Sequence, residues 1–435
     1  MPGLKKTNFI GIIFLLTFLI QPVYAMDDTW DFPPNAQKSG EVRKARYAET
    51  LPHVPDILFP YYYLKGITYP INQLATWIDH YGYAAKAMDG MKDKSSNFTV
   101  YPILTMGDGS RFGWGLGTNN TNLLQNNYVF TGRAVMYTDF DVRAQVAFGK
   151  RDAFQWKGKK VSFITASDLF MDSDESYYGI GANTSKSVSG NFSDITFRTG
   201  GAIGIEVLPH FTIAPHLIFD GGHAGYRNLN TGPSVQQVFP SSELAGFGQN
   251  INYIDLGLRL AYDTRDDLYY AEHGGLQSVT FHYMQGLNVT DFNFFKLNLD
   301  FERHFKLPPP RLVIWLHNGW TFEDSFSGSQ IPFYRLATAD VFSPLRGFNR
   351  GRFRDKSSVV FNAELRYPLW QKIDGNVFLD TGRVFHGIEN FSFKDFRYSV
   401  GGGLRVTVHN FYIFKTEIAY GGEGVNVVFK AIQEL

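Results

Sequence analysis

The 435-residue chain carries 41 lysines and arginines against 41 aspartates and glutamates, and it contains no cysteine. The balanced charge excludes the basic excess expected of a nucleic-acid-binding protein, and the missing thiols exclude disulfides, thiolate metal sites and cysteine nucleophiles. Forty phenylalanines, 24 tyrosines and 43 glycines beside only 19% charged residues are unusual for a soluble domain and typical of strands half exposed to lipid.

The first 25 residues have the pattern of a secretory signal peptide. Lys5 and Lys6 precede an apolar stretch from Phe9 to Ile20, and Ala25 supplies the small residue that a signal peptidase requires. A retained membrane anchor is the alternative, but it needs roughly 17 to 25 apolar residues and this stretch has about 12. We expect export and cleavage after Ala25. No later segment reaches the length of a spanning helix, so any membrane integration must use strands.

Residues 26–97 form an irregular segment, rich in proline, with one predicted helix. The helix would begin at Pro70 and end at Gly82. Its apolar side would comprise Ile71, Leu74, Trp77, Ile78 and Tyr81. An apolar stripe at this spacing usually indicates burial, so we expect the segment to be periplasmic or lumen-packed, with this helix against a barrel rim or lumen. It is also the candidate contact for a periplasmic partner.

From residue 98 to residue 435 the chain reads as short segments of alternating polarity separated by turn residues. Between Asp255 and Asp263, for example, Leu256 and Leu258 share one face while Asp255 and Arg259 share the other. A lipid-facing arginine or lysine at mid-depth costs roughly 2 to 4 kcal/mol, so the charged faces must line an interior. A soluble β-sandwich also alternates, but it turns its apolar face inward.

Sixteen such segments predict an all-β fold, a 16-stranded antiparallel transmembrane β-barrel with a short, partly helical N-terminal segment. The predicted strands span residues 98–107, 109–119, 126–138, 140–150, 158–172, 191–206, 209–222, 251–265, 274–287, 291–307, 309–323, 355–369, 373–386, 395–408, 411–421 and 424–431. Short and long connections alternate, which predicts tight periplasmic turns and long external loops.

The loop between the eleventh and twelfth predicted strands contains Arg346, and each of the next two strands carries a lone acid on its polar side, Glu364 and Asp380. Arginine offers five fixed donors that match carboxylates, so one guanidinium in reach of both acids would be clamped. The alternative is that these are ordinary loop and lumen charges that never meet.

Neighbouring residues of the same loop suggest how it would be held. Gly347 would let the loop tip approach the wall closely, and Phe348 could wedge against Phe378 or Tyr367. Three further arginines follow, and we expect them to reach solvent or lipopolysaccharide phosphates instead of the wall. They are Arg350, Arg352 and Arg354.

The order of three motifs resembles the BamA and TamA superfamily of outer-membrane assembly and secretion barrels, also called the bacterial surface antigen family. The motifs are Leu345 to Phe348 (LRGF), Asn362 to Pro368 (NAELRYP) and Val377 to Gly382 (VFLDTG). The run from Arg259 to Asp266 and the run from Tyr177 to Gly181 are similar to two further stretches of the same superfamily.

The resemblance implies that the loop arginine folds back into the barrel and meets Glu364 and Asp380, with Phe378 and Gly382 beside them. It covers roughly residues 98 to 430. Residues 26–97 show no βααββ pattern of the POTRA repeats that receive clients in that superfamily. Phe429 stands where the last strand usually ends on a terminal aromatic.

The implied function is a bacterial outer-membrane barrel, in contact with membrane lipid and lipopolysaccharide, that inserts, translocates or exports a protein or lipid client. The alternative is a passive structural or porin-like surface-antigen barrel. The chain has no HExxH pair or GxSxG elbow, and no metal-ligand spacing stands out. His216, His282 and His304 read as lumen or rim residues. We therefore expect no enzyme, cofactor, metal or nucleic-acid partner.

Overall fold

The computed structural model describes residues 61–80, 98–107, 111–226, 232–267, 270–308, 310–340, 345–408 and 411–430. The predicted signal peptide, residues 1–25, lies outside these ranges. So do residues 26–60 and 81–97 of the predicted N-terminal segment.

Sixteen long strands make up most of the described chain. They are β1 (Thr99–Gly107), β2 (Arg111–Leu123), β3 (Tyr128–Tyr137), β4 (Val142–Trp156), β5 (Lys159–Tyr177), β6 (Gly190–Leu208), β7 (Phe211–Gly225), β8 (Asn250–Asp263), β9 (Gly274–Gly286), β10 (Phe294–Leu307), β11 (Leu312–Ser325), β14 (Ser357–Trp370), β15 (Ile373–Phe385), β16 (Arg397–Val408), β17 (Phe411–Tyr420) and β18 (Val425–Lys430). Two strands of two residues, β12 (Ala337–Thr338) and β13 (Arg354–Asp355), lie between β11 and β14.

Helices are few among the described residues. They are α1 (Tyr61–His80), α2 (Val235–Val238) and 3-10 turns at Ser241–Glu243, Thr290–Phe292, Phe333–Arg335 and Ile388–Asn390. None of the described helices is long and apolar enough to cross a membrane.

The sixteen long strands form one closed antiparallel sheet. Each pairs with its neighbours in chain order, and β11 pairs directly with β14 because β12 and β13 pair only with each other. The sheet closes where β18 meets β1, at the partner pair Met106 and Phe429. The predicted 16-stranded antiparallel barrel is therefore confirmed, with the arginine loop between its eleventh and twelfth strands.

Strand ends differ most from the predicted ones in β4 and β5, which run to Trp156 and Tyr177 instead of residues 150 and 172. Their ladders shift register between Lys150 and Phe154 and between Asp172 and Glu175. A bulge interrupts the two-residue alternation, so the pattern read from the sequence stops there although the strand continues.

The two faces of the sheet differ in polarity as predicted. On β8, Leu256 and Leu258 are 49% and 41% exposed on the outer surface, whereas Asp255 and Arg259 on the opposite face are buried. Short connections such as Gln371–Lys372 lie at one end and long ones such as residues 326–356 at the other. We assign the end with the short turns to the periplasm.

Helix α1 begins nine residues before the predicted start, and Pro70 lies inside it. Of the predicted apolar side, Ile71 and Leu74 pack against the barrel, whereas Trp77 is 49% exposed and Ala75, outside that stripe, is buried. Ala75 packs in a cluster with Tyr367, Leu369, Ile373 and Val406. Tyr367 is three residues from the lumen residue Glu364 on β14, so its side chain points to the opposite, outer face of the sheet. Helix α1, which packs on Tyr367, therefore lies on the outer face of the barrel near its periplasmic rim and not in the lumen.

Trp370 fixes the position of α1. Its indole Nε1 donates to the carbonyl oxygen of Lys65 and to Thr68 Oγ1, each at 3.1 Å. The ring also lies 4.9 Å below the Lys65 ammonium and 5.4 Å from the ring of Tyr69. An indole with one end in hydrocarbon and a satisfied N–H is typical of the membrane interface.

Candidate functional site

The long connection between β11 and β14 folds back into the barrel and carries the LRGF run to the lumen wall. Strands β12 and β13 pair at its base, and the backbone N–H of Ala337 donates to Glu323 Oε2 at 3.1 Å. Residues 341–344 of this connection lie outside the described ranges.

The side chain of Arg346 is 7% exposed and is bonded through all three of its nitrogens. Its Nε and Nη2 donate to the two carboxylate oxygens of Asp380 at 3.0 and 2.7 Å. Its Nη1 donates to Glu364 Oε2 at 2.8 Å and to Glu417 Oε1 at 3.0 Å. The structure thus brings together the three sequence-predicted residues Arg346, Glu364 and Asp380 and adds a third acid.

Phe378 lies under the same guanidinium, whose Cζ is 3.3 Å from the centre of the ring. A desolvated cation over an aromatic face gains about 2 kcal/mol. Arg346 itself lies in a connection and not in a strand. Burial would lower the pKa of Arg346, but its hydrogen bond to Asp380 and the charges of Glu417 and Glu364 raise it above the ordinary value, so the group stays charged.

Gly347 permits a close approach between the loop and the turn after β17. A Cβ at this position would lie 2.4 Å from the backbone nitrogen of Gly421, a distance that real Cβ atoms do not show. The Gly347 N–H donates to Ser399 Oγ at 2.8 Å. Gly382 plays a related part, because a Cβ there would lie 3.2 Å from the side chain of Leu345.

The sequence suggested that Phe348 packs against Phe378 or Tyr367, but it contacts neither ring. Its ring packs edge-on against Phe353, with centroids 5.2 Å apart. The guanidinium of Arg346 already covers the face of Phe378, and Tyr367 points out of the barrel toward α1. The short sequence distance between Phe348 and these two residues did not show in which direction each side chain points.

Two of the three following arginines are buried against protein, so the expectation that they reach solvent or lipopolysaccharide was wrong for them. Arg352 donates from Nη2 to Glu423 Oε1 and to the carbonyl oxygen of Thr184, both at 2.7 Å. Arg354 pairs with Glu175 on β5. Arg350 is exposed, but its guanidinium lies over the ring of Phe170 on β5, 5.3 Å from the ring centre, so it too contacts the wall. Each buried guanidinium needs carboxylate and carbonyl acceptors, which the external loops and the end of β5 supply.

Sequence reasoning missed several members of the charged network around Glu364. Glu364 Oε1 accepts from Arg366 Nε at 3.0 Å and from Arg405 Nη2 at 2.7 Å. Glu417 accepts from Lys415 Nζ at 2.7 Å. The available signal was the same for all of them: a charged residue on the polar side of an alternating strand.

A periplasmic segment enters the same network from the opposite end of the lumen. The connection from β8 to β9 buries Tyr270, whose hydroxyl donates to Asp374 Oδ2 at 3.0 Å. Arg366 donates to the carbonyl oxygen of Ala271 at 3.0 Å and stacks 4.9 Å from the Tyr270 ring. Glu364 therefore links the external loop to a periplasmic one through Arg366 and Arg405, both of which lie over the Tyr270 ring.

A second polar cluster lies on β7, β8 and β9, apart from Arg346. His216, Asp255 and His282 are all buried, and the described chain has no other group of three residues whose ligand atoms converge as a metal site requires. The sequence indicated a lumen or rim position for His216 and His282 but did not connect them with Asp255, because the three residues are on separate strands and have no motif spacing.

The comparisons with known proteins agree with the fold. Residues 81–420 match the model of the Omp85 superfamily domain. BamA from Haemophilus ducreyi lacking POTRA domains 1-3 is similar in structure, at 16% identity and a TM-score of 0.56 over 78% of this chain and 70% of that one. CdiB from Acinetobacter baumannii aligns at 10% identity and a TM-score of 0.49 over 76% of this chain and 59% of that one. No curated protein sequence matches.

Proposed function

The chain belongs to the Omp85 superfamily, and from that premise we propose that it is an outer-membrane barrel that inserts, translocates or exports a protein or lipid client. The resemblance found in its motifs is confirmed by the family match. The proposal includes no catalytic step. Membrane lipid and lipopolysaccharide would surround the barrel, and the signal peptide remains a prediction.

One observation carries the proposal: the loop tip is bonded to each of the last four strands, which end at the seam of the barrel. The contacts from Arg346 and Gly347 go to Asp380 on β15, Ser399 on β16, Glu417 on β17 and Asn426 on β18. A movement of the loop would therefore break hydrogen bonds to the strands next to the seam.

The seam itself is weakly paired among the described residues. β1 pairs with β2 from Thr99 to Gly107, but with β18 only at Met106. Opening at this position would expose unpaired N–H and C=O groups, on which a strand of a client protein can add by β-augmentation. The other fifteen junctions, with longer ladders, are unsuited to such opening.

The test locks the seam in a strain that lacks the native gene. Because the chain has no cysteine, Met106→Cys with Phe429→Cys places one disulfide between β1 and β18. We expect the wild-type protein to restore the outer-membrane protein and lipid composition that the deletion alters. The locked protein should fail to restore it until reductant is added.

The matched control is Val279→Cys with Leu299→Cys, a partner pair in the long ladder between β9 and β10. This pair should act as wild type with or without reductant. If the locked seam also acts as wild type, or if the deletion leaves the outer membrane unchanged, the chain is a passive structural or porin-like barrel.

A further inference from the structure

Three side chains on β7, β8 and β9 place three ligand atoms around one point in the lumen wall. His216 Nε2 lies 3.2 Å from His282 Nδ1, which lies 2.9 Å from Asp255 Oδ2. The third edge, from His216 Nε2 to Asp255 Oδ2, is 3.7 Å. The side chains of all three residues are about 1% exposed.

The three distances between the ligand atoms, which are the edges of a triangle, fit a tetrahedral metal site. With ligand bonds of about 2.0 to 2.1 Å, as zinc makes to histidine nitrogen and carboxylate oxygen, ligand atoms lie about 3.3 Å apart. The three edges of 3.2, 2.9 and 3.7 Å are centred on that value. An ion about 2.0 to 2.1 Å from all three atoms would sit roughly 0.6 to 0.9 Å out of their plane, a range that includes the height of about 0.7 Å in a regular tetrahedral site.

We propose that His216, Asp255 and His282 bind a divalent transition-metal ion, with Zn²⁺ as the best match. Two imidazoles and one carboxylate are a donor set of zinc and of other first-row divalent ions, whereas calcium and magnesium prefer oxygen ligands alone. The other carboxylate oxygen, Asp255 Oδ1, is buried and has no hydrogen-bond partner among the described residues. It is placed to complete the coordination, either directly or beside a water.

Gly257 makes the convergence possible. It lies on the lumen face of β8, between His216 on β7 and His282 on β9, and is the ladder partner of both. A Cβ at Gly257 would lie 2.0 Å from His216 Nε2. The imidazole of His216 therefore crosses over β8 through the space that a side chain would fill, and only glycine leaves that path open.

The ion would join three consecutive strands of the barrel wall and neutralise a buried carboxylate. A metal bound only by the folded chain stabilises it against unfolding by mass action. The alternative arrangement shares protons between the same three groups. It predicts no ion, and that difference decides the experiment.

The test uses the untagged full-length protein, refolded in detergent, stripped with a chelator and titrated with Zn²⁺. We expect one tightly bound ion per chain and a higher temperature of unfolding when it is bound. Cobalt in place of zinc should give the visible absorption bands of a tetrahedral site. His282→Gln, which keeps the size of the side chain, should weaken binding by about a hundredfold or more.

Two further variants make the outcome specific. Gly257→Ala keeps all three ligands but blocks the path of His216, and it should weaken binding at least tenfold. His317→Gln removes another buried lumen histidine, bonded to Asp300 and Asn362, and should bind zinc as wild type does. A wild-type protein that binds no ion, or ions that bind His282→Gln equally well, would overturn the proposal. Loss of heat resistance in His282→Gln without any zinc binding would assign the shared-proton arrangement instead.

Discussion

Arg346 joins an external loop to three strands, because its guanidinium donates to one acid on each of β14, β15 and β17. Asp380 depends on it most, because among the described residues Arg346 is the only cation within salt-bridge distance of that acid. Glu364 keeps Arg366 and Arg405 if Arg346 is removed. Among the ion pairs of Arg346, the one with Asp380 therefore contributes most to the stability of the site.

We expect Arg346→Ala to lower the free energy of unfolding by about 3 to 5 kcal/mol, the range for breaking a buried ion pair. Arg350→Ala, four residues further along the same loop with an exposed side chain, should change it by about 0 to 1 kcal/mol. Denaturant titration of protein refolded into vesicles measures both. Equal stability of the two variants would show that Arg346 does not dock the loop.

A double-mutant cycle isolates the pair. Arg346→Ala with Asp380→Asn should cost less than the two single changes summed, by roughly 0.5 to 3 kcal/mol, because the second change removes the acid that the first left unpaired. The same cycle with Glu364→Gln should show a smaller coupling. Strict additivity of Arg346 and Asp380 would contradict the bidentate contact.

Gly347 gives a steric test of the same docking. In Gly347→Ala the new Cβ meets backbone atoms of Gly421, so the loop must move away at a cost of roughly 1 to 3 kcal/mol. Trypsin should then cleave the folded protein after Arg346. Gly232→Ala, where the nearest atom is a side-chain nitrogen at 3.6 Å, is the control and should stay resistant. Resistance of both variants would be evidence that the tip does not lie against Gly421.

At this scale the sequence could supply the charged residues but not their full set of partners. Glu364 and Asp380 stood out because each is a lone acid on the polar side of an apolar strand. Glu417 is also a lone acid on the polar side of its strand, but it lies outside the motifs that drew attention to Glu364 and Asp380. The partners of Phe348 and the meeting of His216 with His282 depend on distances across strands, which spacing along the chain does not contain.

Among the elements, strands were far easier to predict than α1. A strand reveals itself by its two-residue alternation, which lipid on one side and a polar lumen on the other enforce. The helix buries Thr68, Asn72 and Ala75, packs Ile71 and Leu74 against the barrel, and leaves Ile67 and Trp77 outward. Its apolar stripe therefore identified only part of the packed side.

We expect Ala75→Arg to detach α1 from the barrel, because Ala75 is buried in the cluster with Tyr367 and Leu369 and leaves no room for a long side chain. Loss of about 1.4 kcal/mol of docking energy raises the detached population tenfold. Chymotrypsin cleavage in the helix should accelerate accordingly in vesicles. Thr76→Arg, at the exposed neighbouring position, is the control. Equal cleavage rates in the two variants would argue against the outer-wall contact.

On the scale of the whole molecule, the lumen is occupied from both ends. The external loop reaches Glu364 through Arg346, and the periplasmic segment reaches it through Tyr270 and Arg366. The sequence predicted the barrel, its strand number and the position of the loop, because these follow from alternation and motif order. It could not predict the periplasmic segment, whose role depends on the direction in which a turn folds.

We propose that the docked loop closes this barrel at rest, and ion conductance in planar bilayers tests this most directly. We expect the wild-type protein to give little steady current, Arg346→Ala to give frequent openings, and deletion of residues 326–355 to give a stable large pore. Arg350→Ala should behave as wild type. A large, steady conductance of the wild-type protein that neither Arg346→Ala nor the deletion changes would contradict the account.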